Sequence, residues 1–290
     1  MKAAQKDELR LLTPSDFPAI LNEISDPPKQ LYLRGEMPAP EKKWLAVVGA
    51  RACTPYGRQA VEYLIGGLAG YPVVVVSGLA YGIDAEAHKA ALKHGLTTVA
   101  VPGSGLAWKV LYPKANHGLA REILEAGGAH LSEEKPETAA ADWTFPKRNR
   151  IMVGLSHATL VVEAKEKSGS LITAKLATEY NRELLVVPGS IFSESSKGAH
   201  QFLKLGATPA TEPSDILKAL GLVDAKPMNL EDRTDLSENE IKVLKLIASP
   251  IPRDELIRSL DMPTTEVNVL LSAMEIKGLI IESLGVVRSS

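Results

Sequence analysis

Lys147, Arg148, Asn149 and Arg150 set three cations and an amide directly ahead of Ile151, Met152 and Leu155, whose spacing is helical. The pattern predicts a helix over 147–155 that carries the polar cluster in its first turn, where backbone N–H groups lack partners and favour an anion. Cations are unfavourable at such a place unless something negative lies between them. A second mouth of the same kind follows. Ala158 to Val162 is a short apolar run suited to a buried strand, and Ser168-Gly169-Ser170 then opens a helix expected over 170–181. A phosphate fits both mouths, and Phe145, just ahead of the cluster, offers a ring on which a base can stack.

Three more turns repeat the theme of a strand end followed by small residues. Gly49-Ala50-Arg51, continuing to Thr54 and Gly57, is not the GxGxxG of a dinucleotide fold. Arg51, directly after a strand, points into whatever crevice the strand ends enclose, and it is expected to converge with Lys147 on one pocket. Thr54 and Tyr56 suit capping and packing. In Ser77-Gly78-Leu79-Ala80-Tyr81-Gly82, the glycines at 78 and 82 allow the tight backbone that brings N–H groups to a phosphate. Asp84 suits the first turn of the next helix, and His88 is placed to bond it one turn later. Gly103-Ser104-Gly105 is a similar, weaker turn. His94, His117, His130 and His157 show no metal-ligand spacing with one another or with Cys53, so no metal is expected.

The elements that must hold these turns alternate. Apolar runs predict strands at 44–48, 73–77, 97–101, 129–132, 158–162 and 184–187, with helices at 57–69, 82–94, 117–127, 147–155 and 170–181. Such alternation gives an α/β fold: a doubly wound, mostly parallel, Rossmann-like sheet that binds ligands beyond its C-terminal strand ends. Residues 1–43 hold six prolines, too many for long helices, and read as an extension draped on a domain of 1–222 with one short extended run at 31–33. A polar, aperiodic linker is expected over 223–235. In 236–290, three helical stripes and two short strands about Ser283-Leu284-Gly285 spell a small C-terminal winged-helix domain; Ser237 with Glu240 three residues on gives the first stripe a capping box.

The chain of 290 residues is 45% apolar and 23% charged, ordinary for a globular protein, and its net charge of −2 argues against a general electrostatic grip on duplex DNA. Any nucleic-acid site has to be local. A single cysteine suits a reducing cytoplasm, and neither the first residues nor any later run has the apolar length of a signal peptide or membrane span.

FPKRNRI with VVEA and SGSLITA, together with GARACTPYG, SGLAYGIDAEAHKAAL, VPGSGL, YPKAN and PGS followed by GAHQFLKLGA, closely resembles the DprA/Smf family of bacterial DNA-processing proteins across roughly 10–220. The resemblance implies a single-stranded DNA-binding recombination mediator, not an enzyme, that loads a RecA-type recombinase during natural transformation, acts as a homodimer in the cytoplasm and needs no cofactor. Its DNA site would comprise Gly49, Arg51, Thr54, Ser77, Gly78, Gly82, Phe145, Lys147, Arg148, Asn149, Ser168, Gly169, Ser170 and Thr173. Departures are Thr54 for the usual Ser, Pro102 for Leu, and Ala199-His200 for Cys-Asn. Two other classes compete: a nucleotide phosphoribohydrolase-like enzyme and a protein-bridging scaffold. The first lacks its glutamate, since Leu176 stands three residues after Thr173, leaving Glu163 as a nearby acid that suits pairing with Arg148 or Arg150. The second gives the basic cluster no task.

Winged helices usually read duplex DNA with the third helix, and there Glu266 and Glu275 outnumber Lys277. Deleting 234–290 should therefore leave single-strand affinity within tenfold of the full chain. A gel shift on the truncated chain, with its fold checked by circular dichroism, measures this; a larger loss puts part of the site in the deleted module.

Overall fold

Valine, leucine and alanine crowd the central runs because strands of a parallel sheet are buried on both faces. In the computed structural model they form β3 (Lys43–Val48), β4 (Val73–Ser77), β5 (Thr97–Ala100), β6 (Ala129–Ser132), β7 (Ala158–Val161) and β8 (Glu183–Val186). The structure describes residues 8–223, 225, 236–247, 251–260, 262–277, 279–283 and 285–289. Among these, the chain forms two compact units, 1–225 and 226–290. Of the expected linker over 223–235, only residues 223 and 225 fall within the described residues.

The larger unit holds a nine-stranded sheet of order β1-β2-β6-β5-β4-β3-β7-β8-β9. From β6 through β9 (Thr208–Pro209) all neighbours are parallel, with Leu45 opposite Val75 on one side of β3 and opposite Ala158 on the other. The proline-rich extension does more than drape. Its run at β2 (Leu31–Gly35) pairs antiparallel with β6, and β1 (Leu9–Leu12), which was not expected, pairs antiparallel with β2. The prolines lie between these strands rather than within them, so they interrupt no ladder.

Two helical layers cover the sheet. One face carries α2 (Pro55–Gly66), α3 (Ile83–Lys93) and α8 (Pro213–Ala219), through Val61, Ile65, Ala87 and Ile216. The other carries α1 (Ala19–Asn22), α5 (Thr144–Leu155), α6 (Ser170–Glu179) and α7 (Glu194–Lys204), through Leu21, Ile151, Leu171 and Phe202. Between them in sequence, α4 (His117–Glu125) packs with Leu79 and Ala100. The helices α7 and α8 were not expected. More consequential is α5, which begins three residues before the expected 147, because Pro146 fits within a first turn where its missing N–H costs nothing. The first turn is therefore Thr144 to Lys147, and Arg148 to Arg150 lie in the second.

The smaller unit has α9 (Glu238–Leu246), β10 (Ile251–Pro252), α10 (Arg253–Ser259), α11 (Thr264–Ile276), β11 (Ile280–Ser283) and β12 (Val286–Ser289), with strand order β10-β12-β11. Val243, Leu256, Val267, Leu271 and Met274 form its core, as the stripes require. Ser237 and Glu240 form the expected capping box, and Lys277, the base nearest α11, is tied to Glu240 at 2.6 Å.

His88 does not bond Asp84. Its Nδ1 lies 2.7 Å from Thr98 Oγ1, and burial, reinforced by nearby cationic groups, pulls its pKa down to about 3. The folded pKa lies below the unfolded value near 6.5, so the stability His88 contributes is complete above that value and lost as pH falls toward 3, by at most ~1.4 kcal/mol per pH unit. Replacing it with Asn should flatten the loss of urea midpoint between neutral and mildly acidic pH. An unchanged slope would show that other groups dominate acid unfolding.

Candidate functional site

The sheet order reverses at β3. The chain leaves β3 toward α2 on one face, and leaves its neighbour β7 toward α6 on the other, so their C-terminal ends part and leave a crevice. A cleft of about 360 Å³ lies there. Nine of the expected site residues line it: Gly49, Arg51, Phe145, Arg148, Asn149, Ser168, Gly169, Ser170 and Thr173. Ser170 Oγ donates to the Gly49 carbonyl at 2.9 Å and so ties the loop after β3 to the mouth of α6.

Arg148 is the floor. It is only 9% exposed; its Nη1 donates to the Val101 carbonyl at 2.6 Å and lies 4.0 Å from Asp84 Oδ2. Burial lowers its pKa, but guanidinium starts so high that it stays a cation. Asp84, also on the cleft wall, is raised above the usual carboxylate value by burial, which outweighs Arg148 and the N–H groups of Ala80 and Gly78. Glycine at 78 makes room for Arg148: a Cβ there would stand 1.5 Å from Arg148 Nη1, so the guanidinium would have to shift.

Five expected residues take other places. The N–H of Gly78 is given to Asp84 at 3.1 Å, and Ser77 Oγ to the Val47 carbonyl at 2.6 Å, so these two residues support the floor, and of their turn Ala80 lines the cleft. Gly82 adopts φ +72, and a Cβ would meet the Ala50 carbonyl oxygen at 2.2 Å, so it lets the two loops touch. Thr54 caps α2, accepting from Gly57 N, while its own N–H and Oγ1 donate to Glu163 at 2.9 and 2.7 Å. Glu163 is thus occupied by Thr54 and Ser195, not by Arg148 or Arg150.

The expected convergence of Arg51 and Lys147 is not what the structure shows. Lys147 turns to Glu134 at 2.8 Å and Glu133 at 3.4 Å; burial opposes its charge, yet the bond to Glu134 and both carboxylates hold its pKa above that of an ordinary lysine. Arg150 forks onto Glu133, 2.7 Å to each oxygen, and reaches Asp26. Helical rotation divides the cluster: Arg148 and Asn149 enter the cleft, while Lys147 and Arg150 face the acids after β6. Arg51, by contrast, is exposed, and its guanidinium lies 4.9 Å from the centre of the Phe145 ring, which meets Tyr112 edge-on at 6.0 Å.

Lys165 at the rim and Asp84 on the wall were missed. The rule that singled out Arg51, a long cation just past a strand end, applies equally to Lys165 after β7. Asp84 offered no such signal, because a carboxylate in a first turn also satisfies the helix dipole.

Charge, glycine turns and an aromatic ring at a switch point fit a ligand with phosphates and bases. Residues 8–221 match the model described as DNA recombination-mediator protein A, and 206–285 match the DprA winged helix domain. The chain belongs to the DprA family. It is 38% identical over 279 residues to Protein Smf of Escherichia coli, covering 92% of this chain and 74% of that one. It is 44% identical over 203 residues to DNA processing protein DprA of Streptococcus pneumoniae, covering 69% and 70% of the two chains. The X-ray structure of DprA from that species superposes with TM-score 0.68 at 40% identity, covering 74% of this chain and 76% of that one. A Helicobacter pylori DprA structure, whose title concerns a single-stranded DNA binding mode, superposes with TM-score 0.64 at 30% identity, covering 74% and 97%. DprA relatives are named as processing or mediator proteins.

Because Gly78 and Gly169 differ so sharply in what surrounds them, alanine at each makes a paired test. Gly78→Ala should cost about 1–3 kcal/mol, as overpacking does, whereas nothing lies within 4 Å of a Cβ at Gly169 and its substitution should be near neutral. Denaturant unfolding of both variants measures this. Equal costs would mean that Arg148 does not rest on Gly78.

Proposed function

We propose that this DprA protein binds single-stranded DNA in the cleft between the ends of β3 and β7, and that it is a recombination mediator, loading a RecA-type recombinase during natural transformation, as a homodimer in the cytoplasm. The observation that carries the binding assignment is Arg51: an exposed guanidinium that forms no ion pair among the described residues and lies over the Phe145 ring, on the same cleft as the buried cation of Arg148. Phosphates sit against Arg51, Lys165 and the mouth of α6, where Ser168 Oγ, two residues ahead of the helix, is buried without a hydrogen-bond partner among the described residues. Bases sit against Phe145. Lys147 serves at the edge, once a phosphate displaces Glu134. The family membership supports recombinase loading and dimerisation.

A nucleotide-cleaving alternative gains a carboxylate in Asp84, though its Oδ2 is bonded to Gly78 N and Leu176 leaves the expected glutamate position empty of acid. Release of free base from nucleoside monophosphates, followed chromatographically, tests that alternative; turnover abolished by Asp84→Asn would establish it.

Stacking needs base faces that duplex hides, so single-stranded oligonucleotide should bind more tightly than duplex of equal length at the same salt. Equal affinity contradicts the proposal. Arg51→Ala should cost on the order of 1–3 kcal/mol of binding and flatten the slope of log affinity against log salt by roughly 0.7. Lys147→Ala should cost less, since Glu133 and Glu134 already neutralise that charge, and Lys218→Ala on α8 should cost nothing. A salt series on one oligonucleotide ranks the three; a loss at Lys218 equal to that at Arg51 would displace the DNA from the cleft.

A further inference from the structure

Phe192 is 90% exposed and Ile191 72%, in the turn between β8 and α7. Their neighbours Ser190, Ser193, Glu194 and Lys197 are polar, and Leu205, the next large exposed apolar side chain, lies at the far end of the three-turn helix α7. Two adjacent apolar side chains in a polar rim are too small a patch for the core of a protein interface, which is continuous and apolar, and suit one flat ligand group.

The turn is also held firmly beside the cleft. Tyr56 Oη donates to the Pro188 carbonyl at 2.5 Å, Ser195 Oγ to Glu163 at 3.1 Å, and the N–H of Ala164 to the Ser195 carbonyl at 2.7 Å. Ala164 adjoins Lys165 of the cleft rim. Since β8 neighbours β7, the turn leaves the same C-terminal side of the sheet as the crevice, one strand further out.

We infer that Phe192 is a second base-stacking platform, which receives an unpaired base of the strand as it leaves the cleft past Lys165. The inference rests on the single-strand assignment above. Phe145 and Phe192 then bracket the path, with the cationic cleft between them.

Three variants test it on one oligo-dT. Phe192→Ala should weaken binding roughly five- to a hundredfold, the range of base–aromatic stacking, and leave the salt slope unchanged because no phosphate contact is lost. Phe192→Trp should restore affinity, and its emission above the wild-type background should be quenched by oligo-dT and not by duplex. Arg51→Ala, the third, should flatten the slope. If Arg51→Ala weakens binding while Phe192→Ala binds as wild type, or Phe192→Trp is not quenched by bound oligo-dT, the platform is overturned and the cleft stands. If no variant or wild type binds oligo-dT, the single-strand assignment fails and the platform with it. If Phe192→Ala instead lowers the mass in sedimentation and leaves affinity per protomer intact, the ring is a contact between copies and the inference is wrong.

Discussion

A guanidinium out of water needs its charge answered on several sides, and the answer given to Arg148 organises the larger unit. The Val101 carbonyl comes from the end of β5, Asp84 from the first turn of α3, and Gly78, on whose Cα the group rests, from the end of β4. Three loops are thereby fixed relative to α5. Burying one charge with an incomplete set of partners is costly, and here it places a permanent cation at the base of an open cleft. The cation is thus built into the fold before any ligand arrives, so no ordering of a long side chain is needed at that point.

The acids after β6 play a complementary part. Glu133 and Glu134 take up Lys147 and Arg150, and Asp26 draws the N-terminal extension to the same helix. Of three cations in one sequence cluster, only Arg148 is left to face the cleft. Local concentration of positive charge in a sequence is therefore a poor guide to local field, because a helix turns each residue by about 100° and presents successive ones to different neighbours.

This explains where the sequence was legible. The central strands were legible within a residue or so, because short, largely apolar runs alternating with amphipathic helices have few other uses than a parallel sheet, and the crevice followed from their order. Of the two helix mouths expected, the one at Ser168 to Ser170 opens on the cleft, whereas the one expected at Lys147 to Arg150 begins three residues earlier, at Thr144. Lys147, Thr54 and the Ser77-Gly78 turn were misplaced because their partners, Glu134, Glu163 and Asp84, are chosen by tertiary packing that spacing does not encode. The helices α7 and α8 escaped notice since serines and a glycine fill the start of the first and proline and serine open the second, and the same residues open loops. The winged-helix stripes needed only periodicity.

The crevice has a temporal side. One of its walls follows Val48 and the other follows Val161, adjacent partners in the sheet that leave the ribosome far apart in time. Until β7 emerges, β3 is an unprotected edge whose backbone groups at Val47 and Val48 lack their β7 partners, and pairing across so long a loop is slow. The nascent chain thus passes through a stage in which Arg51 already exists but has neither Phe145 nor a facing helix mouth, so the cleft is completed only once β7 and α6 have been made.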